Sequence, residues 1–592
     1  MSELMQRRPR RGIIIAAVCA VLIGCSSADP ESTDPGDGSS SSARAKPAET
    51  RQEIVLEEQD AAGPYRSAEI KHEQQRGDLP QRQVMPAHKA VLAESVLLPR
   101  SAGQMNLDGL RLPGEPLDRE AYNHFDTNPV HLVSESPVST FSIDVDTASY
   151  ANVRRLLNQG ALPRHDAVRV EEMINYFSYS YPTPTVADEP FAVYTEVGPS
   201  PWHEARQLLH VGIKGYEVPE EDLPPANLVF LIDVSGSMQS PNKLGLLKSS
   251  MKMLAKRLAP EDRLAIAVYA GAAGTVLEST PGSDRAKILS AIDQLTAGGS
   301  TNGGAGIRLA YSLAEQGFME NGINRVILAT DGDFNVGTTD TESLKNLVEA
   351  KRESGVALTV LGFGGGNYND ALMQELAQIG NGNAAYIDTL SEARKVLVEE
   401  IGATLNMIAK DVKIQIEFNP ETVAEYRLIG YETRHLERED FNNDAIDAGD
   451  IGAGHTVTAL YEIALTGSDG TLMDPLRYGS DKAADAEATS SSNELAFLKL
   501  RYKLPDEDVS QLITRPIDKQ AIIGDLGGTS DNYRFSAAVA GFGQILRGSE
   551  YTGSFDLEAA ATLAGSARGE DAFGYRGEFM SLVRTADALA GS

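Results

Sequence analysis

The segment L-V-F-L-I-D-V-S-G-S-M, Leu228 to Met238, constrains the fold more than any other stretch of the chain. An unbroken apolar run, Leu228 to Ile232, leads into Asp233, with Pro224-Pro225 before it and Gly236 after it. A run of this kind reads as a strand buried on both faces, the signature of a parallel sheet covered by helices. Ligands of open α/β sheets bind just beyond the carboxyl ends of such strands, which is where Asp233, Ser235 and Ser237 fall. All three side chains offer oxygen and none offers nitrogen or sulfur, a donor set that suits a hard divalent cation.

Two later segments extend the pattern. R-V-I-L-A-T-D-G-D, Arg325 to Asp333, reads as a second buried strand, ending on Asp331. T-A-G-G-S-T-N-G-G, Thr296 to Gly304, is a glycine-rich loop that presents Thr301 ahead of a helical pattern. Taken alone, a serine after a strand only caps a helix and Asp331-Gly332 only makes a turn. D-x-S-x-S, a loop threonine and T-D-G, in that order over roughly Asn227 to Leu405, resemble the metal-ion-dependent adhesion site (MIDAS) of von Willebrand factor type A (VWA) domains. The resemblance implies that Asp233, Ser235, Ser237 and Thr301 with Asp331 carry the metal, and that the sixth coordination position takes a ligand. Mg²⁺ is the expected ion, and Mn²⁺ and Ca²⁺ share its preference for oxygen. Neutral hydroxyl donors leave such an ion electrophilic toward an outside carboxylate, so the expected partner is a protein offering Asp or Glu.

Between 228 and 403 the pattern alternates. Strands are expected at 228–233, 263–269, 274–278, 325–330 and 356–362, and helices at 243–258, 284–295, 304–316, 342–353, 370–379 and 391–403. This predicts a doubly wound, Rossmann-like α/β domain at 226–405. Phe191 to Gly198 and Gln207 to Lys214 precede it and alternate as strands, and Asp411 to Phe418, His455 to Leu465 and Ala496 to Lys503 follow it. Strands on either side suggest one β-rich sandwich with the α/β domain inserted, 118–225 being an extension that holds a helical part and the first sandwich strands, and 406–505 the rest of the sandwich. Residues 506–592 are expected to be helical, Phe535, Val539, Phe542 and Leu546 sharing one face. Asn123 to Pro182 and the segment Y-R-F-S-A-A-V-A-G-F-G-Q-I-L-R-G resemble the flanking regions of a bacterial lipoprotein family that carries a VWA domain.

The amino terminus reads as an address rather than a fold. Arg7, Arg8, Arg10 and Arg11 precede a short apolar stretch, Gly12 to Leu22, too short for a comfortable membrane span. L-I-G-C, Leu22 to Cys25, resembles the lipobox of bacterial lipoproteins. That implies cleavage after residue 24 and lipidation of Cys25, with an ordinary secretory signal or an uncleaved anchor as the alternatives. Ser26 after it favours the outer membrane by resemblance to proteobacterial sorting. Residues 25–117 are polar and of low complexity, too poor in apolar side chains to offset chain entropy. They read as a disordered tether, and ~90 flexible residues span ~50 Å.

Cys19 and Cys25 are the only cysteines, so a chain starting at Cys25 has no internal disulfide and no thiolate metal site. A formal charge of −31 argues against nucleic acid as a partner. No G-x-S-x-G, H-E-x-x-H or general base is evident, so no enzyme activity is expected and a metal-assisted hydrolase ranks last. Asp331 to Gly337 has the spacing of a calcium loop but places Val336 where such a loop needs glycine. Gly362 to Asn367 lacks the Lys-Ser/Thr of a phosphate loop. Asp144, Asp146 and Ser149 read as a strand end with Asp146 or Thr147 capping a helix, a second metal cluster being the alternative. The leading expectation is an envelope lipoprotein binding a protein ligand through its metal. The runner-up is an envelope scaffold whose metal is structural.

Overall fold

The computed structural model describes residues 120–591. Residues 185–189, 301–302, 333–340, 367, 401, 403–404 and 474–492 lie outside the description. Cys25, the expected signal segment and tether, and Thr301 are therefore outside the described residues.

The apolar run at 228 becomes a strand with every residue buried, because helices cover both faces of its sheet. That sheet holds β5 (Ala226–Asp233), β6 (Arg263–Tyr269), β7 (Ala273–Pro281), β8 (Ile323–Thr330), β9 (Ala357–Phe363) and β10 (Ala384–Ile387), in the order β10-β9-β8-β5-β6-β7. Only β7 runs antiparallel to its neighbour. Leu228, Phe230 and Ile232 pack toward one face, with α3 (Leu246–Ala255), α4 (Arg285–Gln294) and α8 (Leu390–Arg394). Val229 and Leu231 pack toward the other, with α5 (Gly303–Gln316), α6 (Thr341–Glu353) and α7 (Asp370–Ile379). The two-residue period of a strand produces this division.

The expected helix at 243–258 begins instead with a wider turn, Pro241–Gly245, and that at 391–403 gives way at Lys395–Glu399 to another. The early helix α1 (Ala148–Asn158) lends Ala148 and Ala151 to the α5–α7 core and lies beside β10, so the amino-terminal segment completes a face of the α/β domain.

The flanking strands form the sandwich. One sheet has the order β1-β12-β14-β4-β3, with β1 (His131–Leu132), β3 (Phe191–Ser200) and β4 (His203–Gly215) from before the α/β domain, and β12 (Val423–Ile429) and β14 (Thr456–Leu465) from after it. In the other, β13 (Gly449–Gly452), β11 (Met407–Phe418), β15 (Glu494–Lys503) and β16 (Gln511–Asp518) run in order, and β2 (Val138–Ser142) pairs with β11. Both sheets therefore mix strands from either side of the insertion. Val211, Ile213, Tyr461 and Ile463 of one sheet meet Ile414, Ile416, Leu498 and Leu500 of the other in a shared core. The sandwich continues past residue 505 through β16, and the long helices start only at residue 531.

Those helices are α9 (Asp531–Leu546), α10 (Leu557–Ser566) and α11 (Tyr575–Ala590). They pack with α1 and α2 (Val170–Asn175) against Leu208, Ile429 and Leu460 of the first sheet. The expected face of α9 is buried, but so are Tyr533, Ser536, Ala537, Ala540, Gly541 and Gln544, because the helix runs between the sheet and its sister helices.

Candidate metal centre

β5 runs to one side into β6, and the chain then returns on the other side as β8. The reversal falls between the carboxyl ends of β5 and β8, the place where doubly wound sheets hold ligands. Asp233 closes β5 there and Asp331 follows β8, and both are fully buried. The Ser235 backbone N–H donates to Asp233 Oδ1 at 2.8 Å, which turns the chain sharply off the strand. The turn brings the hydroxyls of Ser235 and Ser237 within 2.9 Å of each other, the first buried and the second exposed. The structure thus gathers Asp233, Ser235, Ser237 and Asp331, as expected from their alternation and strand-end placement.

The glycine-rich loop lies alongside. Gly298 N–H donates to Val234 O at 2.7 Å and Gly236 N–H to Gly299 O at 3.1 Å. Gly299 has φ +96°, a backbone state that glycine reaches without steric penalty.

Burial pushes the Asp233 carboxyl up to about 6, against hydrogen bonds from Ser235 that lower it, and the charge of Asp331 adds to the rise. The hydroxyl of Tyr269, at the end of β6, lies beside it. Even so, among the described residues no donor meets buried Asp233 Oδ2 in hydrogen-bond geometry. A buried carboxylate oxygen without a donor, next to two facing hydroxyls and a second buried carboxylate, fits a hard cation. Asp233, Ser235, Ser237 and Asp331 are the described residues able to hold one.

Lys243 was not among the expected site residues. Its Nζ donates to Asp331 Oδ2 at 2.8 Å, and its side chain is 10 % exposed. The signal was present, since Lys243 stands four residues before buried Leu247, on the stripe that continues through Met251 and Leu254. A lysine on a buried helical stripe has to find a carboxylate.

The other acidic clusters are taken up internally. Asp144, Asp146 and Glu172 lie close enough to hold an ion, but guanidinium groups fill that role. Arg434 Nε donates to Asp144 at 3.0 Å and Arg434 Nη2 to Asp146 at 3.1 Å, and Arg169 pairs with Glu172. Thr147 stands at the helix start without a side-chain capping bond, and Ser149 Oγ donates to Ala167 O at 2.8 Å. The capping expectation for Asp146 is therefore corrected, since its carboxylate accepts from Arg434 and from the Ala384 N–H. In the acidic loop 440–450, Asp444 accepts from Ser510, Asp447 pairs with Arg352 and Asp450 accepts from the Asp411 N–H.

Comparison with known proteins agrees with this architecture. The von Willebrand factor type A domain model matches residues 227–400, a von Willebrand factor model matches 116–210, and a model described as "Uncharacterized protein YfbK, C-terminal" matches 403–589. The chain is 51% identical over 475 residues to the "Uncharacterized protein YfbK" of Escherichia coli (strain K12), covering 79% of this chain and 81% of that protein. The chain belongs to the YfbK family of VWA-domain proteins. YfbK similarity runs through the sandwich and terminal helices as well as the VWA domain. Human "Inter-alpha-trypsin inhibitor heavy chain H4" is 24% identical over 333 residues, and the match spans 50% of this chain and 35% of that one. The solved "von Willebrand factor type A from Catenulispora acidiphila" is 16% identical, covers 67% of this chain and 89% of its own, and superposes at TM-score 0.37.

Proposed function

We propose that this YfbK-family chain is a cell-envelope lipoprotein, anchored through Cys25, whose VWA domain binds an acidic group of a protein partner through a divalent cation. Asp233, Ser235, Ser237, Thr301 and Asp331 would hold the ion, with Mg²⁺ the first choice and Mn²⁺ or Ca²⁺ as substitutes. The observation that carries the reading is the buried Asp233 Oδ2, without a hydrogen-bond donor among the described residues, beside the paired hydroxyls of Ser235 and Ser237. Bound there, the cation supplies a Lewis-acidic position for a carboxylate. The chain's own backbone holds its donors in place, through the Ser235 N–H on Asp233 and the Gly236 N–H on Gly299 O. On this reading the donors hold the ion and the ion receives the partner's carboxylate, and no catalytic step is assigned to them. The membrane contact is the lipid on Cys25, and the compartment is the envelope, on the outer membrane facing the periplasm or the surface.

Calorimetric titration of Mg²⁺ and Mn²⁺ into the full-length chain in detergent tests this. Wild type is expected to bind, and Asp233→Ala to lose measurable affinity. Equal binding by both would overturn the metal reading. Equal incorporation of radiolabelled palmitate by wild type and Cys25→Ser, or none by either, would overturn the anchor.

A second reading, an envelope scaffold, is favoured by one feature. Arg154 and Arg169 of the amino-terminal segment hold Asp388, Glu392 and Asp370 of the VWA domain in buried ion pairs, which suits a rigid spacer.

A further inference from the structure

Lys243 stands in the candidate metal centre, and its placement is built into the backbone. Its stem lies over Gly364, in the loop that follows β9. A Cβ on Gly364 would come within 2.2 Å of Lys243 Cε, 2.5 Å of Cγ and 2.8 Å of Cδ. Gly364 also has φ +74°, which side chains other than glycine rarely adopt. The glycine-rich stretch 362–366, which lacks the Lys-Ser/Thr of a phosphate loop, thus makes room for an aliphatic stem. The stem reaches from the turn after β5 to the loop after β9, and its ammonium lands on Asp331 between them.

The consequence follows from charge. Among the described residues, Asp233 and Asp331 give the centre two negative charges when ionised. The Lys243 ammonium removes one, so a divalent cation leaves the centre with a net charge of one positive. An incoming carboxylate then brings it to neutrality. Without the ammonium the cation alone neutralises the centre, and a carboxylate adds uncompensated negative charge. In a buried site such differences are poorly screened.

We propose that Lys243 is a resident cation of this centre, which weakens binding of a divalent ion alone and makes ion and acidic ligand bind cooperatively. This rests on the metal reading above, deepens it, and assigns the coupling to one side chain. Coupling of this kind is reciprocal, since each species raises the affinity of the other by the same factor.

The test is a Mn²⁺ titration of the full-length chain, followed by the electron-spin signal of free Mn²⁺, with and without excess acetate as the carboxylate probe. Wild type, Lys243→Met, Lys243→Arg and Asp233→Ala are compared. Lys243→Met keeps the length of the stem and loses the charge. It is expected to bind Mn²⁺ about tenfold tighter than wild type without acetate, a difference of about 1.4 kcal/mol, and to lose most of the tightening that acetate gives wild type. Lys243→Arg should behave as wild type. Because Lys243→Met removes the ion pair with Asp331, urea unfolding is measured as well. Mn²⁺ should raise the midpoint of Lys243→Met more than that of wild type. Unchanged or weaker Mn²⁺ binding by Lys243→Met, or acetate tightening equal to that of wild type, would overturn the proposal while Asp233→Ala still loses the ion. Equal binding by wild type and Asp233→Ala, or none by any form, would overturn the metal reading and this proposal with it.

Discussion

At the scale of single residues the fold carries buried ionisable groups whose preferences oppose each other. His210 is fully buried, with Nε2 2.7 Å from the Tyr181 hydroxyl and Nδ1 3.1 Å from Ser536 Oγ. Burial pulls it from 6.5 down to about 3. Its neutral form is the folded form, so its contribution to stability is full above 6.5 and fades as pH falls toward 3. Glu171 is also fully buried, neither carboxyl oxygen has a hydrogen-bond donor among the described residues, and burial with Glu432 and Asp144 nearby pushes it from 4.5 up to about 8. Its contribution is full below 4.5 and is lost as pH rises through 8. The two offset one another between 4.5 and 6.5, and above 6.5 Glu171 acts without that opposition. The urea midpoint of wild type should therefore fall between pH 6.5 and pH 8. Each such group contributes up to about 1.4 kcal/mol per pH unit, so Glu171→Gln should retain roughly 2 kcal/mol more of its stability across that interval. Asp450, raised to about 7, tilts the same way at the lower end of that interval, so the substitution flattens the slope without abolishing it. A midpoint as steep in Glu171→Gln as in wild type would contradict the assignment. These pairings were not legible in the sequence, because Tyr181, His210 and Ser536 meet only through tertiary packing. The meeting of Asp233, Ser235, Ser237 and Asp331 at the strand ends was legible, because strand-end position and the alternation of Ser235 and Ser237 are local properties. Lys243 was hidden by the habit of reading lysine as surface.

At the scale of elements, what could be read depended on how many faces an element buries. β5 is covered on both faces and gives a continuous apolar run. β16 is exposed along most of its length as a sheet edge, carries Pro516 and offered no run to read. α9 looked amphipathic but is buried nearly all round, and its glycines explain how. A Cβ on Gly541 would stand 2.4 Å from the Phe555 ring, so the bare backbone is what lets that ring seat against α9. Gly541→Ala gains about 1 kcal/mol of helix propensity and loses about 1–3 kcal/mol to overpacking. The second effect is expected to win by about 1 kcal/mol. Chemical denaturation should show the loss, and Phe555→Leu in the same chain should recover part of it by clearing the ring. A stabilised Gly541→Ala would mean that Phe555 moves freely.

At the scale of the whole described body, insertion creates a mechanical problem. The VWA domain is joined to the sandwich by two chain crossings, after β4 and before β11, which alone would leave it loosely hung. Buried arginines answer that problem. Arg154 on α1 is 1% exposed and binds Asp388 at 2.5 Å, Glu392 at 2.7 Å and, on terminal helix α11, Glu578 at 3.0 Å. One guanidinium thus ties the amino-terminal segment to the VWA domain and to the end of the chain. Buried ion pairs are weak net contributors, but removing one partner strands the others and costs about 3–5 kcal/mol. Arg154→Met should lower stability by that amount. Adding Asp388→Leu and Glu392→Met should restore most of it, since the stranded charges go with the substitution. Hydrogen exchange separates a local role from a global one. If Arg154 clamps the parts together, its loss should speed exchange in α11 and α8 well before β5. Uniform acceleration across all three would mean that the VWA domain and its shell open only as one unit and that no single arginine holds them together.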